Sequence, residues 1–183
     1  MTEPEPGRVK VRSARRPGDV SPNRLAWAAY AAFALAVCYA LVSLYWAAGG
    51  TLGIDTLGGS VERLARSRTA AAAAAVSVVI VVKLAGGLLA LALVRPWGRT
   101  LPRRLLLITG VLASALLLVY GAITVSAETL VETGVLRPTS PVDWNALRWH
   151  LELWDMWFLV WGLFLGLAVW GYRLATAVQH SSA

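Results

Sequence analysis

Apolar residues in this chain gather into four long runs, at about 25–46, 70–94, 105–127 and 153–173. Each is close to the ~20 residues that a membrane-crossing helix needs. Polar residues collect between the runs, and those inside them recur at helical spacing rather than in strict alternation. The pattern predicts an all-α fold, a four-transmembrane-helix bundle with both termini cytoplasmic. Residues 1–24 form a basic tail, 25–176 the membrane domain and 177–183 a short tail.

Each run places its small or polar positions on one face. In the first, Ala28, Ala32, Ala36, Tyr39 and Ser43 align. In the second, Lys83 aligns with Val76, Gly87 and Ala90; in the third, Gly110, Ser114, Leu117, Gly121, Thr124 and Glu128 align. Projected at ~100° per residue, the fourth has Asp155, Gly162 and Gly166 on one face, with Arg148 in line and Glu152 at its edge. His150, Trp154, Trp157, Trp161 and Phe164 fall on another. Small residues mark helix contacts in lipid, whereas Trp marks the headgroup level. The acidic, small face is therefore expected to meet protein and the ring face lipid. The Gly162-x-x-x-Gly166 spacing suits a neighbouring helix, either within the chain or in a second copy.

Between runs, GGTLGIDTLGG (49–59) should end the first helix and cap one end of the bundle. Its glycines do not make a nucleotide site, because no strand precedes them and no Lys-Ser/Thr follows. Ser60 is expected to cap the next helix, with Glu62 in its first turn. Ser140 or Asp143 is placed to start a short interfacial helix leading into the fourth run.

Charge orients this arrangement. The chain carries a net charge of +7, with 57% hydrophobic and 15% charged residues. In a soluble protein such a balance would suggest nucleic acid, but here the positive charge mostly flanks the spans, so the expected partner is the lipid bilayer and not nucleic acid. The 1–24 tail, the 95–104 turn and the C-tail hold six, four and one Lys/Arg; the 49–68 and 128–148 loops hold three and two. The positive-inside rule puts the first set in the cytoplasm of a cell-membrane protein. The apolar run after the tail is longer than the 7–15 residues of a signal peptide. The one cysteine, Cys38, reads as an apolar filler and excludes an internal disulfide.

Lys83 is the one charged residue placed deep in the membrane. Such a residue costs about 2.5–3.5 kcal/mol on insertion scales, and it usually pairs or lines a watery cavity. Its expected partners are Asp155, then Glu152 and Glu128. At 1.5 Å per residue Lys83 lies ~20 Å below its helix start and Asp155 ~9 Å below its own, a gap for Tyr39, Ser114 or water to bridge. The alternatives are a ligand or proton role in a polar cavity, or snorkelling without a partner. Trp157 and Trp161 read as an aromatic belt, with a cation–π contact to Lys83 as the other option. Glu128, Glu132, His150, Glu152 and Asp155 contain the donor types of a divalent-ion site. Without a ligand-spacing motif, solvated charge is the expected state, and neither metal nor cofactor is assigned.

Tyr45, Trp46, Ala47, Gly49 and Gly50, together with the acidic-aromatic approach to the last span (Asp155, Trp157, Phe158), resemble an uncharacterised family of small four-helix bacterial membrane proteins, known as a domain of unknown function. The resemblance implies a four-span fold and brings no activity with it.

The expected function is non-enzymatic: binding of a small ligand or partner protein through an outward-facing polar pocket. The alternatives are a subunit of an oligomeric transporter or channel, and a membrane enzyme acting on a lipid-like substrate. The orientation has a direct check. With Cys38 replaced by Ala, an Asp55→Cys variant should react with an impermeant maleimide on intact cells; reaction only after permeabilisation would invert the topology.

Overall fold

The computed structural model describes residues 25–180, with side chains through 177. The 1–24 tail and residues 181–183 lie outside the described residues. Six α-helices follow in order: α1 Ala26–Ala47, α2 Gly59–Ser67, α3 Ala70–Ala92, α4 Arg103–Glu132, α5 Trp144–Trp149 and α6 Asp155–His180. A π-helical turn, His150–Trp154, joins α5 to α6. No strand occurs among the described residues. α1, α3, α4 and the continuous Trp144–Ala177 stretch are each long and apolar enough to cross a membrane. α4 and α6 both outrun the apolar segments that predict them, so Glu128 and Glu132 stand on a helix rather than in a loop.

The helices line up as α3, α1, α6, α4. α1 lies antiparallel to α3, with Ala36 and Phe33 against Gly87 and Ser43 against Lys83. α6 lies between α1 and α4. Along its contact with α4, Gly121 meets Leu159, Gly162 meets Leu117 and Leu118, Gly110 meets Val169, and Arg103 Nε donates to Thr176 Oγ1 at 2.9 Å. The aligned positions of α1, from Ala28 to Ser43, are all buried. So are Gly110, Ser114 and Gly121 of α4. Lipid tails give helices no hydrophobic reason to associate, and close backbone approach through small residues supplies the packing instead.

The ring face of α6 corrects the sequence expectation. Trp154 and Trp161 are only 7% and 4% exposed. Trp27 packs edge-on to Phe164, and Trp157 Nε1 donates to the Leu35 carbonyl at 3.3 Å. A central helix has two protein-facing sides. The small side of α6 takes α4 and the ring side takes α1, leaving Met156, Leu163, Trp170 and Leu174 exposed between them. Gly162 and Gly166 therefore serve α4 within the chain. Cys38 is exposed, on the outer side of α1.

The glycine-rich loop closes the end formed by the α1, α3 and α6 termini. Tyr45 and Trp46 hold it on both sides of Leu52: the Leu52 amide donates to Tyr45 Oη at 3.2 Å and Trp46 Nε1 donates to the Leu52 carbonyl at 3.0 Å. A Cβ on Gly50 would clash with the phenol end of the Tyr45 ring, at Cζ, so glycine is what fits under that clamp. Ser60 does not cap a helix. α2 begins two residues earlier, at Gly59 with Gly58 in the cap position, and ends at Arg68, whose φ of +49° breaks the chain before α3. Thr69 caps α3 instead, accepting from the Ala72 amide at 3.2 Å. Arg68 is held in place by donating Nη2 to the Gly49 carbonyl at 2.8 Å. Asp143 does cap α5, accepting from the Ala146 amide at 3.1 Å.

The α4–α6 seam can be tested at paired glycines. A Cβ on Gly162 would sit 3.0 Å from the Leu118 amide nitrogen, whereas one on Gly166 would meet Ser114 at an ordinary 3.8 Å. Overpacking against backbone typically costs about 1–3 kcal/mol. Gly162→Ala should lower the unfolding temperature in detergent, and Gly166→Ala should leave it nearly unchanged.

Candidate functional site

The π turn sets the site. Its hydrogen bonding closes on i+5, and the Asp155 amide donates to the His150 carbonyl. On a regular helix two residues five apart lie ~140° from each other. The wider turn brings them onto one side, and His150 Nδ1 lies 2.8 Å from Asp155 Oδ2. The other ring nitrogen, Nε2, lies 3.1 Å from the Leu57 carbonyl in the capping loop. Glu128, from the end of α4, completes the group with Oε1 at 3.9 Å from Nδ1. One donor atom from each of the three side chains falls within 4.8 Å of the others.

The hydrogen bonding limits what the imidazole can do. A carbonyl only accepts, so Nε2 must carry a proton. Nδ1 then points a lone pair at a carboxylate unless a positive charge lies between them, either a proton or a metal ion. The Asp155 side chain is only 4% exposed and the imidazole 29%. Glu128 Oε2 is buried without a donor among the described residues. Two carboxylates therefore converge on one imidazole at a largely dehydrated place. Around them, Trp154 Nε1 donates to Thr56 Oγ1 at 3.0 Å, and the Trp154 ring stacks on Tyr39 and meets Trp46 edge-on. At the rim, Arg148 pairs with Glu132 at 3.3 Å in the open.

Lys83 forms a second polar station. It is 8% exposed, as its small-residue face predicts, but it does not pair with Asp155, Glu152 or Glu128. No acid lies within 4.0 Å of it among the described residues. Its Nζ donates to Ser43 Oγ at 2.7 Å and sits 3.2 Å above the centroid of the Tyr39 ring. Side chains on a helix lean toward its N-terminus. The Lys83 stem therefore climbs toward the capped end and meets Ser43, one turn from the end of α1. The cation–π contact is with Tyr39 rather than Trp157 or Trp161.

The sequence-predicted residues separate accordingly. Asp155 and Glu128 share one station, and Tyr39 connects it to Lys83. Glu152 is exposed and points away. Ser114 is buried against Gly166 and donates to the Val111 carbonyl at 3.0 Å, not to Lys83. Trp157 is spent on Leu35, while the Trp161 Nε1 is buried without an acceptor. A regular-helix projection puts His150 on a different face from Asp155; Ser43 lies on the aligned face of α1 that the spacing predicts, whereas Thr56 carries no signal beyond being a small hydroxyl. Of the five donor side chains open to a metal in the sequence, Glu132 and Glu152 stand apart.

A family described as protein of unknown function (DUF3995) matches the chain over residues 36–165. The chain belongs to that family, and its four apolar helices make it a membrane protein of unknown role. No curated protein and no solved structure matches it. The matched stretch spans both the Tyr45–Gly50 clamp and the Glu128–His150–Asp155 group.

The imidazole can be tested for a structural role. His150→Ala removes a partner from the buried Asp155 carboxylate and from the Leu57 carbonyl. Leaving such groups unsatisfied costs roughly 1–3 kcal/mol each. The variant should unfold at clearly lower temperature in detergent, and Asp155→Asn, which removes the charge along with its need, should lose less.

Proposed function

We propose that this chain is a multi-pass protein of the bacterial plasma membrane, with both termini cytoplasmic, that binds a small ligand at the outer end of its bundle. The ligand is a divalent first-row metal ion held by Glu128, His150 and Asp155. One observation carries the reading: Leu57 holds Nε2 and so directs Nδ1 into the space shared by two carboxylates. Ligating histidines commonly hold their second nitrogen on a carbonyl in this way, which fixes the ring and its tautomer. One imidazole with two carboxylates suits borderline ions such as Zn2+, Mn2+ or Fe2+. Bonds of about 2.0–2.2 Å set donor atoms roughly 3.3–3.6 Å apart in a tetrahedral site, so the widest of the present separations, up to 4.8 Å, must close by about 1 Å. Glu128, near the last turn of α4 and with Oε2 unpaired, is the side chain able to move. The outward setting is supported by the distribution of Lys and Arg between the loops, and the bacterial source by the family resemblance.

Chelator-treated protein in detergent should bind one equivalent of Zn2+ or Mn2+ and unfold at higher temperature when loaded. Glu128→Gln keeps a side-chain group that can still hydrogen-bond Asp155, so it should fold, and it should weaken binding at least tenfold. Metal binding equal in wild type and Glu128→Gln would contradict the proposal.

A further inference from the structure

Beside the seam of α4 and α6, in the half of the bundle away from the capping loop, runs a groove of about 630 Å3. Sites for small molecules run from about 300 to 1,000 Å3. Ile108, Leu112 and Trp170 line it and are 58%, 64% and 56% exposed, so it opens to the surroundings of the bundle. Arg103 of α4 and Arg173 of α6 stand at its outer end, and Ser114 and Gly166 lie at its inner end. Arg103 precedes Ser114 on one continuous helix by a rise of ~17 Å at 1.5 Å per residue. One leaflet of a ~30 Å hydrocarbon core has about the same depth. The groove thus has the reach of one acyl chain beneath its headgroup.

Charge at this end has one sign. Arg95, Arg99, Arg103, Arg104 and Arg173 lie here, whereas every acidic residue of the described part lies toward the capping-loop end. No carboxylate comes within 4.0 Å of Arg103 or Arg173 among the described residues. Arg103 spends Nε on Thr176 Oγ1 at 2.9 Å, which fixes the guanidinium beside the groove. Its two Nη groups have no acceptor among the described residues. Such a planar fork of donors matches the oxygens of a phosphate. Trp170 lies just inside Arg173, and an amphipathic ring of this kind suits the headgroup level. Basic pockets between spans are where anionic headgroups are held. Here the cationic head of the groove and its apolar lane are continuous, and at this depth the molecules that bathe the lane are lipids.

We infer that the α4–α6 groove is a binding site for an anionic glycerophospholipid, with its phosphate between Arg103 and Arg173 and one acyl chain along Ile108 and Leu112 toward Gly166. The site lies at the opposite end of the bundle from the Glu128–His150–Asp155 group and stands or falls independently of it.

The full chain, delipidated in detergent, would be titrated with phosphatidylglycerol and with phosphatidylcholine of the same acyl chains, and binding read by native mass spectrometry. Phosphatidylglycerol should bind roughly tenfold more tightly, since each basic residue near a headgroup favours net negative charge. The double variant Arg103→Gln, Arg173→Gln should abolish that preference. Arg95→Gln with Arg99→Gln removes the same charge from exposed positions outside the groove and should leave the preference intact. If the first double variant fails to fold, Arg173→Gln alone decides, because Arg173 is exposed and its loss should still cut the preference several-fold. Millimolar glycerol 1-phosphate should not displace the lipid. Equal binding of the two lipids, an equal loss in the Arg95 and Arg99 variant, an unchanged preference in Arg173→Gln, or displacement by glycerol 1-phosphate would each overturn the inference.

Discussion

A single imidazole ties the loop end of this bundle together. His150 reaches from the π turn to a backbone carbonyl in the glycine-rich loop on one side and to a buried carboxylate of α6 on the other. Little in the loop is otherwise regular, and its backbone groups near the membrane need partners within the protein. The same contact fixes the ring, so that Nδ1 faces Asp155 and Glu128. The loop's position and the chemistry of the cluster are thus two results of one constraint.

The constraint works because α6 is central. α1 covers its aromatic side and α4 its glycine side, so errors in its rotation would disturb both seams. The π turn lies just above those seams. It lets the His150–Trp154 segment adopt its own register while α6 keeps the one its glycines require. A wide turn costs helical regularity, and such turns recur where a side chain must be aimed. Here the aimed side chains are His150 and Trp154, and both contact the 54–57 segment of the loop.

Much of this was legible in the sequence. The alanine ridge of α1, the Gly110–Ser114–Gly121 face of α4, the buried setting of Lys83 and the Asp143 cap all follow from helical spacing and side-chain size. The site was less legible because a projection at constant angle assumes a regular helix, and the irregular turn falls between its two key residues. The ring face was misread for a different reason: tryptophans mark the interface on a peripheral helix, but on a helix flanked on two sides they fill the core. Lys83 was matched to acids by charge, whereas stem direction decided its partner and Ser43 offered no charge to notice. The boundary at Arg68 was hidden because a left-handed arginine has no sequence signature.

Lipid as solvent also explains why the polar groups form two stations rather than one pocket. At the bundle end, carboxylates and an imidazole can share charge under a loop. Deeper, an amine has only a hydroxyl and a ring face.

The most direct test of the His150 bridge is 15N NMR of the side chain in micelles, followed through a pH titration. Because a carbonyl can only accept, Nε2 should keep the chemical shift of a protonated nitrogen throughout, with all change confined to Nδ1. An Nε2 shift that moves to the unprotonated range, with the proton on Nδ1, would show that Leu57 is not its partner and would contradict the account.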